Sequence, residues 1–148
     1  ILSDTLDMQI SFAKLHTLRQ SHKAQKSPVH RSSKYLYFME QRPNANYSTI
    51  VRKRAALGDA TPAAENLEPF EEFETVVDFQ RESKGYTYFS VMDLEISPDD
   101  HLLVYNLDTT GNEVGKLFIY NMTSKTHYLK SPIEVQPGVD FECVCYFR

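Results

Sequence analysis

Four carboxylates have the types and spacing that come closest to a catalytic or metal-binding group. Asp99 and Asp100 are adjacent, and Asp108 and Glu113 lie at the two ends of a short polar segment. A calcium loop needs alternating oxygen ligands, a glycine bend and a final bidentate glutamate, and the segment from Asp108 to Glu113 is too short for one. Aspartate side chains often accept hydrogen bonds from turn backbone. The pattern therefore predicts turn capping rather than metal binding.

The histidines and cysteines give no metal or nucleophile pattern. The histidines are scattered without partners at metal or triad spacing: His16, His22, His30, His101 and His127. Cys143 and Cys145 would share one face of an extended segment, where a disulfide is strained and two thiolates make a poor metal site. We therefore predict no cofactor and two reduced thiols, which favour a reducing compartment or an organelle matrix over secretion.

The first 34 residues are basic, with six Lys or Arg against two Asp. Two apolar rows on different sides predict an amphipathic helix over residues 3–26 that packs between two surfaces. The basic residues of its second half are candidates for docking a partner: Lys14, Arg19, Lys23 and Lys26. The alternative is a solvated helix end that complements its own dipole. Nucleic-acid binding is a weaker possibility, because no aromatic interleaving or binding fold accompanies the charges.

Residues 55–74 form an acidic insert that carries five glutamates. The insert could mimic a charged partner or neutralise the basic helix, although such runs are more often solvated or partly helical. Phe70 and Phe73 suggest that the insert is pinned to an apolar surface, so we add both to the candidate docking residues.

The rest of the chain has the alternating pattern and turn residues of β-strands. Strand patterns recur in four-stranded groups at intervals of 40 to 50 residues, which is typical of β-propeller blades. We predict a mainly β fold: a helix and linker over residues 1–33, then an incomplete propeller over residues 34–148. Its two four-stranded antiparallel blades would span about residues 35–79 and 88–130, and residues 141–148 would begin a third.

Size and charge exclude some classes of protein. The chain has 148 residues and a formal net charge of −4, which argues against attraction to nucleic acid over the whole surface. No run of 18 apolar residues occurs, so we predict no membrane span.

Several motifs resemble the prolyl oligopeptidase family of serine peptidases, and within it the oligopeptidase B group. They are Ser97-Pro98-Asp99-Asp100, Leu103-Val104-Tyr105, the run from Asp108 to Glu113, Leu117-Phe118-Ile119 and, upstream, Tyr35-Leu36-Tyr37-Phe38. The run Asp108-Thr109-Thr110-Gly111-Asn112-Glu113 is the most specific of them. The resemblance extends over about residues 34–130 and is absent from the acidic insert.

The resemblance implies a propeller that covers an α/β-hydrolase domain carrying Ser, Asp and His. The nucleophile of such a domain lies in a Gly-x-Ser-x-Gly turn. None of the five glycines flanks a serine in that pattern, so we assign no catalytic residue.

Two functions follow. The first is a non-catalytic structural or interaction subunit of a larger assembly, in which other subunits cover the open blade edges. The alternative is the N-terminal propeller portion of a serine oligopeptidase. We expect a mitochondrial location, with the cytoplasm as the alternative.

Overall fold

The computed structural model describes residues 24–55, 61 and 73–136, which form two antiparallel sheets. The first sheet contains β1 (Gln25–Lys26), β2 (His30–Arg31), β3 (Tyr35–Gln41), β4 (Thr49–Arg54) and β5 (Glu74–Asp78). A short helix, α1 (Phe79–Glu82), leads to the second sheet. That sheet contains β6 (Ser90–Ile96), β7 (Leu102–Asp108), β8 (Gly115–Asn121), β9 (Thr126–His127) and β10 (Ile133–Val135).

Each sheet has four strand positions, one of which is shared by two short strands. In the first sheet the order is β1-β3-β4-β5, and β2 also pairs with β3. Because β4 occupies the other side of β3, β1 and β2 must lie end to end along its remaining side. In the second sheet the order is β10-β8-β7-β6, and β9 shares the outer side of β8 with β10. Two sheets of four positions are what two propeller blades require.

The side-chain alternation of the strands explains how the sheets pack. In β3, Tyr37 faces a core that both sheets share, while Phe38 next to it is buried on the opposite face. The β3–β4 connection reverses the chain at Asn44, whose φ of 63° lies in the left-handed region that asparagine tolerates.

The link between the blades runs from the edge strand of one sheet to the edge strand of the other. Asp78 caps α1 by accepting a hydrogen bond from the backbone N–H of Arg81 at 3.2 Å. Phe79, the first residue of α1, is fully buried and meets Tyr105 of β7 edge to face, with ring centroids 5.5 Å apart. The link therefore also fastens the second sheet to the first through aromatic packing.

One apolar core joins the two sheets. Its buried members come from both sheets and from the link between them: Tyr37, Ile50, Val76, Val77, Phe79, Phe89, Leu103, Tyr105, Leu107 and Met122. The two blades therefore share their main core, and a smaller separate cluster lies in the second sheet.

The predicted mainly β fold is confirmed, with local differences. The helix prediction is wrong for its last two residues, Gln25 and Lys26, because they form a strand that pairs with Gln41 and Glu40. Backbone pairing to a neighbouring strand outweighs the local helix pattern there. Phe79, the last residue of the predicted first blade, begins α1 instead of ending a strand. The rest of the predicted helix and the start of the third blade lie outside the described residues.

Candidate interaction surfaces at the blade contact and sheet edges

The turn between β6 and β7 is held by its own side chains. The Ser97 hydroxyl donates a hydrogen bond to Asp99 at 2.6 Å and accepts one from the backbone N–H of Leu102 at 2.8 Å. The hydrogen bond from Ser97, together with one from the backbone N–H of His101 at 3.1 Å, holds the pKa of Asp99 below its usual range. Asp100 follows with a φ of 64°, which is uncommon for a residue with a side chain. The motif Ser97-Pro98-Asp99-Asp100 thus fixes where the Asp100 carboxylate points.

Asp100 connects the two blades. Its carboxylate accepts hydrogen bonds from the Ser33 hydroxyl at 2.9 Å, the Lys34 backbone N–H at 3.0 Å and the Tyr37 hydroxyl at 3.0 Å. All three donors belong to the first blade or to the segment that enters it. Asp100 is 3% exposed and its bond to the Tyr37 hydroxyl is buried, so water cannot readily replace that donor. Burial, reinforced by the nearby carboxylate, raises the pKa of Tyr37. The hydroxyl therefore stays protonated and donates to Asp100.

Arg52 makes a second contact between the blades. Its guanidinium donates to Glu74 at 2.9 Å, lies over the Tyr35 ring at 4.4 Å from the centroid, and donates to the Met122 carbonyl of the second blade at 3.4 Å. Burial opposes the charge of Arg52, yet Glu74 and Tyr37 outweigh it and raise its pKa. Arg52 is 6% exposed, although it begins the basic run Arg52-Lys53-Arg54, a pattern typical of an exposed strand end.

Glu74 extends this contact to a third charged group. Lys125 of the second blade lies 3.2 Å from Glu74, with 61% of the lysine side chain exposed. Partial burial of Glu74 favours its neutral form, but Arg52 and Lys125 overcome this and lower its pKa. Glu74, the last residue of the acidic insert in the sequence, is the first residue of β5 and pairs with basic groups of this chain.

Asp108 shows that the predicted turn capping is correct at the other end of β7. Its carboxylate accepts backbone N–H groups from Thr110 and Gly111 at 2.8 Å and from Glu113 at 2.9 Å. These bonds lower its pKa. All of its partners belong to the same turn. The four carboxylates singled out in the sequence therefore lie at opposite ends of β7 and form no joint site.

Two of the six predicted docking residues lie on one side of the first sheet. The Lys26 ammonium is 5.8 Å from the centroid of the Phe38 ring, and the Phe73 ring meets Phe38 edge to face at 4.9 Å. Lys53 adds a cation 5.5 Å from the Phe73 ring. Their role in docking a partner stays a prediction. The other four, Lys14, Arg19, Lys23 and Phe70, lie outside the described residues.

The second sheet is apolar on both faces. The face away from the first blade carries a separate buried cluster of Val104, Leu117 and Val135, with Ile119 packed on it. Asn106 shares this face by alternation along β7. Within residues 24–55, 61 and 73–136, its side-chain carbonyl oxygen is the one buried side-chain polar atom that has no hydrogen-bond partner. Sequence reasoning missed this residue, although an asparagine inside the apolar strand Leu102–Asp108 was a visible signal.

The remaining side chains give little sign of chemistry. The Tyr105 hydroxyl and His127 Nε2 are 2.8 Å apart, and His101 Nδ1 lies 3.2 Å from the Thr123 hydroxyl. In the part of the chain that the structure describes, no group of three His, Cys, Asp or Glu side chains is placed to hold a metal ion. Over the same residues, no helix is long and apolar enough to cross a bilayer.

Comparison with known proteins agrees with this geometry. The family model of the N-terminal β-propeller domain of prolyl oligopeptidase matches residues 2–142. No curated protein sequence matches the chain.

Solved structures of two oligopeptidases B share the fold. The enzyme from Leishmania major has a TM-score of 0.63 and 17% identity over 89% of this chain and 18% of its own. The enzyme from Trypanosoma brucei, in a closed form with covalently bound antipain, has a TM-score of 0.63 and 18% identity over 90% of this chain and 18% of its own.

A structure from a study of two prolyl endopeptidases is also similar. Its TM-score is 0.58, with 11% identity over 77% of this chain and 15% of its own. The chain thus spans less than a fifth of the length of the solved structures that it resembles.

Proposed function

Because the chain belongs to the family of N-terminal β-propeller domains of prolyl oligopeptidases, we propose that it is a non-catalytic propeller segment that binds other polypeptides. It acts as a structural or interaction subunit of a larger assembly, whose other subunits cover its open faces and edges.

The second sheet carries more apolar side chains than this chain covers, and this is the observation that carries the proposal. One face packs on the first blade, and the other holds the cluster of Val104, Leu117 and Val135. Both sets of side chains are buried within this chain, so the apolar surface that remains for a partner is formed by exposed side chains near the edges of the sheet.

Exposed apolar side chains near the outer side of the second sheet also support binding. Tyr128 is 71% exposed and Ile133 is 48% exposed. Tyrosine and isoleucine that remain exposed beside an apolar cluster are typical of a surface that contacts another protein.

The second candidate function is the N-terminal propeller portion of a serine oligopeptidase. It is favoured by the similarity to whole peptidases, of which this chain spans less than a fifth. In that case the next blade comes from the same polypeptide, and the whole protein cleaves peptides.

Labelling of native material separates the two functions. Tagged protein is purified from its natural source, treated with a fluorophosphonate that reacts with activated serines, and separated under denaturing conditions. The first function predicts several co-purifying polypeptides and no label on the polypeptide that carries this sequence. Label on that polypeptide would reject the first function in favour of the second. The mitochondrial location stays a prediction, which subcellular fractionation of the same source tests.

A further inference from the structure

The free side of β6 borders a cleft between the two blades. Among the described residues β6 pairs only with β7, so its other side is an edge of the sheet. The cleft has a volume of about 350 Å³ and lies between β6 and the first sheet. Its apolar walls include Met39 and Ile50 from the first sheet and Leu94 and Ile96 from β6. This volume is in the range of pockets that bind small ligands or a few peptide side chains.

The side chains of β6 divide between two environments. Leu94 and Ile96 pack against the shared core, whereas Asp93 and Glu95, which alternate with them, are exposed. A strand placed beside β6 would have the same alternation. Its residues on one face would enter the apolar cleft, and those on the other face would lie beside the two carboxylates.

We propose that β6 binds an extended segment of a separate protein as an added strand, and that this segment alternates apolar with basic residues. The inference rests on the proposed binding role of the blade edges and names the edge and the chemistry of the partner.

Three properties of the edge support this occupant. The outward N–H and C=O groups of a sheet edge form a ladder with any extended chain that reaches them. In β6 the Leu94 backbone N–H donates to the Asp93 carboxylate at 2.7 Å, a local bond that an added strand would exchange for one to its own backbone. The cleft accepts apolar side chains next to Leu94 and Ile96. Lysine or arginine next to Asp93 and Glu95 would form opposite-charge cross-strand pairs, which stabilise a sheet, whereas acidic residues there would repel.

The ends of the regular strand limit the length of the added segment. Pairing between β6 and β7 shifts between Val91 and Asp93, and it is regular again from Asp93 to Ile96. After Ile96 the chain turns away, with the Ser97 backbone N–H bonded to the Leu102 carbonyl at 2.9 Å. Four residues of strand span roughly 13 Å, so a pentapeptide covers the edge.

Synthetic peptides test the proposal on the full 148-residue chain. The probe is acetyl-Lys-Val-Lys-Val-Lys-amide, with acetyl-Glu-Val-Glu-Val-Glu-amide as the charge control. Isothermal titration gives the dissociation constants, and amide chemical shifts of residues 93–96 report the position. We expect the basic peptide to bind, to perturb these amides, and to bind at least about tenfold more tightly than the acidic one.

Backbone methylation distinguishes strand addition from simple charge attraction without altering the protein. In an extended peptide, alternate N–H groups point to opposite sides. One methylated peptide therefore carries methyl groups on the lysine nitrogens and the other on the valine nitrogens, and the two peptides are blocked on opposite sides. Strand addition predicts that one methylated peptide binds about tenfold or more weakly, because a ladder hydrogen bond is lost. The other methylated peptide should bind with nearly unchanged affinity. Equal affinity for both methylated peptides would overturn the proposal.

Charge variants place the site at this edge of the sheet. The double variant Asp93→Asn, Glu95→Gln is expected to bind the basic peptide about fivefold more weakly. Glu134→Gln on β10, an exposed acid at the opposite edge of the same sheet, is the matched control and leaves affinity unchanged. Equal loss in both variants, or no loss in the double variant, would contradict binding at β6.

The source of the occupant has its own control. Charge reversal at Lys14, Arg19 and Lys23 leaves peptide binding unchanged if the partner is a separate protein. Binding that appears only after this reversal would show that the basic segment of this chain is the occupant, which overturns the proposal. If partners still co-purify with the native protein while no peptide binds β6, only this inference fails and the proposed function stands.

Discussion

The two acidic turns at the ends of β7 use the same residue type in different ways. Asp108 accepts three backbone N–H groups from its own turn, and every one of these partners lies within five residues. Asp100 accepts three hydrogen bonds from the other blade, from partners more than 60 residues away in sequence. One turn is therefore stable by itself, while the other stabilises the packing of two blades.

This difference shows what makes a turn motif structural beyond its own residues. Asp99 holds the turn locally, which leaves the neighbouring Asp100 carboxylate available for the first blade. The positive φ of Asp100 directs its side chain across the blade contact. Two adjacent aspartates thus have different roles: Asp99 caps the turn, and Asp100 joins the two sheets.

Asp100→Ala should have the largest effect on stability. The change leaves the buried Tyr37 hydroxyl and the partly buried Ser33 hydroxyl and Lys34 N–H without their acceptor, which costs about 3 kcal/mol. Urea unfolding measures the loss. Asp100→Asn keeps a residue that tolerates positive φ and should lose less. A loss below that of Asp108→Ala would show that Asp100 does not join the blades.

Arg52→Met should have the next largest effect. It removes the bonds to Glu74 and the Met122 carbonyl but keeps an apolar side chain of similar length, so the expected loss in unfolding free energy is about 2 kcal/mol. Lys125→Met, which removes the exposed partner of Glu74, should cost less than about 0.5 kcal/mol. Thermal unfolding of both variants measures the difference, and equal losses would refute the role of Arg52 between the blades.

Asp108→Ala should destabilise the protein less than Asp100→Ala, and with a local signature. Hydrogen exchange should become faster at Thr110, Gly111 and Glu113, whose N–H groups lose their acceptor. The N–H of Lys34, which binds Asp100, should keep its protection. Faster exchange at Lys34 in this variant would mean that the two turns are coupled, which would contradict the purely local role of Asp108.

Acidification should have the smallest effect and should act at both turns and at Glu74. Asp99, Asp108 and Glu74 have pKa values below their usual range in the folded protein. Their contribution is present above the usual carboxyl pKa of about 4 and is lost as pH falls through the lower folded values. Unfolding free energy should therefore decrease below about pH 4. In the Asp108→Asn variant, the unfolding free energy should decrease less steeply with falling pH. An unchanged slope would contradict the lowered pKa of Asp108.

Sequence patterns predict the local features of this molecule well. The strands of the second blade, its turns and the capping role of Asp108 all follow from alternation and turn chemistry, which involve residues close in sequence. The same information is enough for the mainly β fold and the family resemblance. Each of these features depends on interactions within a few residues or on a repeated pattern.

Contacts between distant segments were not predictable in the same way. Nothing near Asp100 in the sequence indicates that Tyr37 is its partner, since the contact depends on how the two sheets pack. Basic residues follow Arg52, a pattern typical of an exposed strand end, yet contacts with Glu74, the Tyr35 ring and Met122 bury it. Gln25 and Lys26 were predicted as helix, and pairing with β3 decides their conformation.

The central claim is that other polypeptides complete this two-blade segment. Native mass spectrometry of material from the natural source tests it directly, combined with the denatured mass of the polypeptide that carries this sequence. We expect a polypeptide without a fluorophosphonate-reactive serine, inside a larger particle that contains other chains. A single longer polypeptide that includes this sequence and a fluorophosphonate-reactive serine would contradict the claim.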